Sequence, residues 1–211
     1  MESRFALVLA LPVYAAMLAF GPGTTPECRK RVASFVLVLV PFVALWVWYN
    51  ELRWGLPYDI GYTAWYHQDG AGMPTGSPFR LMYLQYQLDS FFVQHPDFVP
   101  VFPYVIPSIS GIALTWTSPA LVLAFFARRP AGLVVALWVL TLLTAAPNFV
   151  YYVNGFAQFG MRHALDFEPF LFVLMALALR RGANPIATLL MLYSILVGSW
   201  GVWYWRVYVR Q

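Results

Sequence analysis

The sequence predicts an all-α polytopic membrane protein, with about six transmembrane helices in a single membrane domain spanning residues 1–211. The first reason is composition: 61% of the residues are hydrophobic and 10% are charged, whereas soluble domains carry roughly 25% charged residues. The second is that the apolar residues form blocks long enough to cross a bilayer. The third is that Lys and Arg cluster beside alternate blocks, as membrane topology requires. These features exclude an ordinary soluble globule.

Six apolar blocks are the predicted spans: residues 5–20, 32–49, 112–126, 131–153, 164–179 and 186–209. A helix rises about 1.5 Å per residue, so roughly 20 residues cross the hydrocarbon core. The first and fifth blocks are short, and we expect flanking polar residues, local thinning or burial against neighbours to accommodate them. Prolines interrupt four blocks, at Pro12, Pro41, Pro119 and Pro147. Neighbouring helices must satisfy the carbonyls that these prolines free, so a packed bundle is expected.

The basic residues orient the chain. They follow spans one, three and five, at positions 29–31, 128–129 and 180–181, and basic residues in short loops stay on the cytoplasmic side. Both termini, the long loop at residues 50–111 and the loop at 154–163 are therefore predicted to face outward. Every acidic residue except Glu27 falls on that outer side, so polar chemistry is expected there. The predicted location is a membrane, with the chain crossing it several times and its long loops facing outward.

The outer loop at 50–111 is rich in Tyr, Trp and Phe, so we expect it to be ordered. Within it, residues 79–92 mix apolar and polar side chains in the manner of an amphipathic helix at the membrane interface. Its apolar face is expected to lie on the bilayer and its polar face to turn outward.

Several classes of partner and cofactor are not indicated. The basic residues lie scattered or at segment ends, which does not predict a nucleic-acid surface. The one cysteine, Cys28, allows no intrachain disulfide and no Cys/His metal spacing. The histidines lie outside the predicted spans, so haem or chlorophyll ligation is not predicted. No cofactor or metal site is expected, and the bilayer itself is the expected partner.

Two outer stretches carry polar residues beside spans. In residues 48–62, Arg53 meets an anionic headgroup or phosphate at the outer leaflet, or else the stretch only anchors the end of span two. In residues 154–169, an α-helix would place Arg162 and Asp166 on one face, with Glu168 at the mouth of span five. That pair either serves function or staples the loop to the bundle. His163 either transfers protons near neutral pH or only hydrogen-bonds.

These two stretches resemble bacterial polytopic glycosyltransferases of the GT-C type, which use polyprenyl-phosphate sugars. Residues 49–57, YNELRWGLP, with Gly61-Tyr62 are similar to the family element YN-x-x-RFG-x-P … GY. Residues 158–163, QFGMRH, with Leu165-Asp166 and Pro169-Phe170 are similar to the element QFG-Y-R-Y-x-L-D-x-x-P. Met161 and His163 stand where the family has aromatic residues. The resemblance covers most of residues 50–179, the later half of such enzymes.

The resemblance implies a site for the lipid phosphate or the sugar donor, with acidic residues beside it. The implied donor-binding residues are Arg162, Arg53, Gln158, His163, Asn50 and Tyr62, and the adjacent acidic residues are Asp166 and Glu168. The family's acidic first outer loop is not matched, because the loop before span two is short, basic and cytoplasmic. The catalytic residues therefore stay unknown.

The leading hypothesis is a split or degenerate glycosyltransferase that lacks the N-terminal acidic loop and binds a polyprenyl-phosphate-linked sugar at the outer leaflet. A membrane protein partner would then supply the missing carboxylate, and the chain is not expected to be an active enzyme without it. The alternative is a non-catalytic structural or assembly subunit of a larger membrane complex. A transporter ranks last, because polar residues are few within spans three to six.

Overall fold

The computed structural model describes residues 5–68, 76–155 and 158–209, which are mostly helical. Residues 69–75 of the predicted outer loop lie outside the described residues. The chain divides into two compact units, Met1–Pro78 and Phe79–Gln211. The prediction that residues 1–211 form a single membrane domain is about how the chain lies in the bilayer. It stays a prediction.

The described part of the first unit forms the α-helices α1 (Leu11–Ala19), α2 (Thr25–Trp54) and α3 (Gly61–Gln68). A 3₁₀ turn, Phe5–Ala10, precedes α1. The start of α2 is capped, because the Thr24 backbone N–H donates to the Glu27 carboxylate at 2.8 Å. Its end is set by Gly55, whose φ of 66° lies in the left-handed region that glycine adopts readily.

The residues described in the second unit form a short hairpin and five α-helices. The helices are α4 (Leu84–Phe92), α5 (Leu114–Thr117), α6 (Ala131–Phe149), α7 (Glu168–Leu179) and α8 (Pro185–Tyr204). Strands β1 (Asp97–Phe98) and β2 (Val105–Ile106) pair antiparallel, with Asp97 opposite Ile106. Segments of 3₁₀ helix occupy Leu81–Tyr83, Pro119–Phe126 and Arg162–Asp166, and a π-helical turn, Trp205–Val209, follows α8.

Aromatic rings form the core of the second unit. Phe91 of α4 is 0% exposed, and its ring centroid lies 5.1 Å from that of Phe149 and 5.9 Å from that of Phe167. Such pairs add to area burial and hold helices at defined distances. Leu114, Met161 and Ala164 belong to the same buried cluster. The core therefore joins α4, α5 and α6 to the segment before α7.

Among the described residues, three helical segments are long and apolar enough to cross a membrane: Thr25–Trp54, Ala131–Phe149 and Pro185–Val209. They coincide with the second, fourth and sixth predicted spans, and they support a membrane protein. The other three apolar blocks form shorter pieces. The block at 112–126, for example, breaks at Ser118 into α5 and a 3₁₀ segment that begins at Pro119. The prediction that these three blocks also cross the bilayer stays a prediction.

The predicted amphipathic segment at 79–92 is helical over most of its length, but one expectation is corrected. Gln87 is 0% exposed, while Leu81 and Met82 on the preceding turn are 78% and 63% exposed. A polar side chain therefore turns into the protein and apolar ones turn away from it. The physical reason is that the Gln87 Nε2 finds a backbone acceptor inside, the Tyr151 carbonyl, at 2.7 Å. The exposed apolar side chains suit contact with lipid.

Candidate functional site

The two polar stretches that sequence analysis singled out belong to different units. Asn50, Arg53 and Tyr62 lie in the first unit, where Asn50 and Arg53 sit in the last two turns of α2 and Tyr62 in the first turn of α3. Gln158, Arg162, His163, Asp166 and Glu168 lie in the second unit.

In the first unit, Arg53 is exposed and Asn50 is buried. The Arg53 guanidinium lies 4.4 Å from the centroid of the Trp54 ring, a cation–π arrangement that holds the side chain while leaving its N–H groups available. Asn50 is 2% exposed, and within the described residues its Nδ2 has no hydrogen-bond partner. A buried donor without an acceptor is costly. Of these two residues, Arg53 is the one placed to meet an external anion.

In the second unit, Gln158 ties three segments together. Its Nε2 donates to the Ser110 carbonyl at 2.7 Å and to the Asn154 carbonyl at 2.9 Å, and its Oε1 accepts from the Arg162 backbone N–H at 3.4 Å. The side chain is 7% exposed. Its amide is thus engaged with the backbone on both sides, and it positions the start of the Arg162–Asp166 turn.

A buried polar cluster that sequence analysis missed lies beside Gln158. The Tyr86 hydroxyl donates to Asn154 Oδ1 at 2.8 Å, Asn154 Nδ2 donates to Ser90 Oγ at 2.9 Å, and Ser90 Oγ donates to the Tyr86 carbonyl at 2.9 Å. Asn154 and Ser90 are 2% and 3% exposed. Burial raises the pKa of the Tyr86 phenol, although its hydrogen bonds oppose the shift, so the hydroxyl stays a donor at neutral pH. No local signal in the sequence marks this cluster, because Tyr86 and Asn154 lie 68 positions apart.

Two glycines allow the loops to approach Gln158 closely. Gly111 and Gly155 have φ values of 98° and 117°, which L side chains rarely adopt. A Cβ on Gly155 would collide with the Gln158 amide, and one on Gly111 would lie 2.8 Å from the Met161 methyl. Glycine is therefore required at both positions for a steric reason as well as a conformational one.

Arg162 and Asp166 lie at opposite ends of one 3₁₀ turn. Because this turn is not α-helical, the i, i+4 spacing does not place them on one face as an α-helix would. Arg162 is exposed, while Asp166 is 4% exposed and accepts from Asn148 Nδ2 at 3.2 Å. Asp166 thereby fixes the turn against α6, and Arg162 extends from it to the surface.

His163 and Glu168 lie on either side of Asp166 in the sequence, and each has different neighbours in the structure. The His163 ring meets the Tyr151 ring edge-on at a centroid distance of 5.9 Å. Glu168 stands in the first turn of α7 and is partly buried. Neither observation assigns a proton-transfer role.

An apolar groove of about 330 Å³ lies among the helices of the second unit. The 3₁₀ segment Pro119–Phe126 lines one side with Val122 and Phe125, α6 lines another with Thr141 and Leu142, and Phe167 and Leu171 complete it. Nearly all of the lining is carbon. Such a groove fits a hydrocarbon chain and offers little to a sugar or an ion.

Arg162 and the groove are linked through one short element. The turn Arg162–Asp166 is followed directly by Phe167, which lines the groove. At about 2 Å of rise per 3₁₀ residue, Arg162 and Phe167 are roughly 10 Å apart along the chain. A cation at this distance from an apolar groove suits an amphiphile with an anionic head and a hydrocarbon tail.

Within the described residues, no cluster of three or more His, Cys, Asp or Glu side chains could hold a metal ion. No protein-family model, no curated protein and no solved structure matches this chain.

Proposed function

We propose that this membrane protein binds a polyprenyl-phosphate-linked sugar at the outer leaflet of the bacterial cytoplasmic membrane, as a split or degenerate relative of GT-C glycosyltransferases. The observation that carries the proposal is the exposed Arg162 on a turn whose next residue, Phe167, lines an apolar groove. The resemblance of residues 49–62 and 158–170 to the family elements supports it.

The proposed ligand matches the two halves of this site. The guanidinium of Arg162 presents parallel N–H donors that suit phosphate oxygens. The groove takes part of the prenyl chain, since burying each CH₂ group contributes about 0.8 kcal/mol in favour of binding. Gln158 and Asp166 act indirectly, because their hydrogen bonds hold the turn from which Arg162 extends.

The first unit contributes a second cation to the proposal. Arg53, stacked on Trp54, is proposed to bind the same class of anion, with Asn50 and Tyr62 beside it in sequence. His163 completes the proposed set in the second unit. We assign no catalytic residue. In sugar transfer Arg162 would stabilise the leaving phosphate, and a membrane partner would supply the base for the acceptor hydroxyl.

Substitutions of two arginines, Arg162 and Arg206, test where the phosphate of the ligand binds. Purified wild-type chain, Arg162→Ala and Arg206→Ala are titrated with a polyprenyl-phosphate sugar in detergent. Arg206 is an exposed arginine on the π-helical turn after α8 and does not line the groove. We expect Kd to rise about tenfold for Arg162→Ala, since a charge-assisted hydrogen bond contributes roughly 1.5–3 kcal/mol, and to stay unchanged for Arg206→Ala. Equal binding by all three removes Arg162 from the site.

The tail of the ligand is tested by filling the groove. Val122→Trp places a large ring in the groove from an exposed position, whereas Val135→Trp adds the same ring to an exposed position of α6 that does not line it. We expect Val122→Trp alone to weaken binding of a long-chain polyprenyl phosphate. If both variants bind as wild type does, the prenyl chain lies elsewhere.

A second candidate function, a non-catalytic assembly subunit, is favoured by α2. No residue in the most apolar window of this 30-residue helix is buried, and Leu37, Phe42 and Trp48 are 73%, 65% and 59% exposed. Such a surface suits a membrane protein partner as well as lipid. Native mass spectrometry of the chain extracted from its own membrane tests this candidate, with a stoichiometric protein partner as the supporting result and only bound lipid as the opposing one.

A further inference from the structure

A second pocket, distinct from the apolar groove, collects four arginines. It has a volume of about 370 Å³ and is lined by Arg128, Arg129, Arg180 and Arg181 together with Phe126, Leu177 and Ala178. Sequence analysis explained these arginine doublets by topology alone. A topological role requires only that the charges lie on one side of the membrane, and it does not require the doublets to share one concavity.

The fold explains why the two doublets meet. Arg128 and Arg129 follow the 3₁₀ segment Pro119–Phe126, and Arg180 and Arg181 follow α7 (Glu168–Leu179). These two segments pack against each other, so the residues at their ends are brought together. The doublets are 52 positions apart in the sequence, and packing alone makes them neighbours.

The chemistry of the pocket selects an anion with more than one negative charge. Within the described part of the chain, none of its lining residues is acidic, so four like charges share one concavity. All four arginines are exposed and can reach a ligand from the membrane surface. Guanidinium groups bind phosphate oxygens with paired N–H donors, which a lysine ammonium cannot do.

The position of the pocket selects a lipid as the source of that anion. Phe126 and Leu177 line it beside the arginines, and Phe125, the neighbour of Phe126, lines the apolar groove on the same segment. Apolar side chains next to cations at a helix end match the boundary between headgroups and acyl chains. Basic pockets between membrane helices on the cytoplasmic side are suited to phospholipid headgroups.

We infer that this arginine pocket binds the headgroup of an anionic phospholipid that carries two phosphodiesters, such as a diphosphatidylglycerol. The inference goes beyond the proposed function and does not depend on it, because it concerns the other end of the same helices and a different ligand. It depends on membrane association and on the four arginines.

Matched charge variants test the pocket. Arg129→Gln with Arg180→Gln removes one arginine from each doublet. The control, Lys30→Gln with Arg206→Gln, removes the same total charge from positions that do not line the pocket. A third variant, Arg129→Lys with Arg180→Lys, keeps both charges and so keeps the topological signal, but loses the paired donors. Native mass spectrometry and fluorescence titration with a labelled diphosphatidylglycerol measure binding to the full chain in detergent.

We expect one tightly held lipid on wild type and on the control. We expect Kd to rise at least tenfold for the Gln pair and to rise several-fold for the Lys pair. Because the Lys pair preserves charge, its loss of affinity cannot come from altered insertion. Equal affinity among all variants overturns the inference.

Two further probes identify the source of the phosphate. Inorganic pyrophosphate supplies the two phosphates without acyl chains, and phosphatidylglycerol supplies acyl chains with one phosphate. The inference expects pyrophosphate at millimolar concentration to leave the diphosphatidylglycerol bound, and phosphatidylglycerol to bind more weakly. If pyrophosphate displaces the lipid at micromolar concentration, the ligand is a free anion and the lipid assignment is wrong.

Discussion

Replacing Gln158 should destabilise the second unit by an amount that its contacts define. Its Nε2 donates to the Ser110 and Asn154 carbonyls at 2.7 and 2.9 Å, from a side chain that is 7% exposed. Each intramolecular hydrogen bond contributes about 1 kcal/mol net, and a buried acceptor left unsatisfied costs about 1–3 kcal/mol. Loss of both donors therefore lowers the free energy of unfolding by about 3 kcal/mol.

Two substitutions at this position separate polarity from volume. Gln158→Met keeps most of the side-chain volume and removes the donors, so it should account for most of that loss. Gln158→Ala also opens a cavity and should lower stability by about 1 kcal/mol more. Gln85→Ala is the matched control, because Gln85 is exposed on α4, and surface substitutions usually stay within about 0.5 kcal/mol.

Thermal unfolding of the purified chain in mild detergent, followed by tryptophan fluorescence, measures these differences. For a chain of this size, 3 kcal/mol corresponds to a midpoint lower by roughly 6–12 °C. The expected order of midpoints is Gln85→Ala equal to wild type, then Gln158→Met, then Gln158→Ala. A Gln158→Met variant as stable as wild type would refute the structural role of this amide.

Three other substitutions in the second unit have defined expectations, the first two in the same thermal assay and the third in urea titrations. Gly155→Ala should lose about 2–3 kcal/mol, because its φ of 117° is strained for alanine and the new Cβ meets the Gln158 amide; Gly132→Ala, which has open space on α6, should lose none. Asp166→Ala should lose about 1–3 kcal/mol through its buried amide partner, and Asp166→Asn should lose less because an oxygen acceptor remains. Tyr86→Phe should reduce the amount by which the free energy of unfolding falls at alkaline pH. The folded state of wild type raises the pKa of this phenol, so the unfolded state ionises first as pH rises through about 10, and urea titrations at pH 8 and 10.5 measure the difference.

Hydropathy predicted where the chain is apolar, and it predicted the long helices well. Spans two, four and six correspond to α2, α6 and the segment Pro185–Val209, because their apolar runs contain few interruptions. The ends were marked by local signals, such as Gly55 after α2 and Arg180 after α7. The hydropathy averaged over a window of the sequence is therefore enough to locate the long apolar helices.

Hydropathy could not predict how the shorter blocks bend. The block at 164–179 begins as a 3₁₀ turn, and α7 starts only at Glu168, with Pro169 in its first turn. Proline lacks the N–H that would continue a helix through it, yet it suits a helix start. A proline near the edge of an apolar block can therefore either interrupt a helix or begin one. Only tertiary contacts decide which of the two occurs.

The buried polar cluster could not be predicted because its members are distant in sequence. Tyr86 and Asn154 lie 68 positions apart and share one hydrogen bond. The sequence around Gln87 also predicted that its side chain lies on the polar face of an interfacial helix. No residue near it in the sequence indicates that the Tyr151 carbonyl accepts its hydrogen bond inside the protein. In an environment without water, a polar side chain is buried where it can form a hydrogen bond with a backbone group that has no other partner.

That rule separates the residues of the proposed donor site into two kinds. Gln158 and Asp166 are buried, whereas the side chains of Arg162 and Arg53 are exposed. A ligand arriving at the surface meets the arginines and does not meet the buried amide. Arg162→Ala should therefore weaken lipid-phosphate binding, whereas Gln158→Ala should both weaken binding and lower the unfolding midpoint. If Arg162→Ala lowers the midpoint and keeps the affinity of wild type, Arg162 acts only in the internal framework, and the phosphate site must be sought around Arg53.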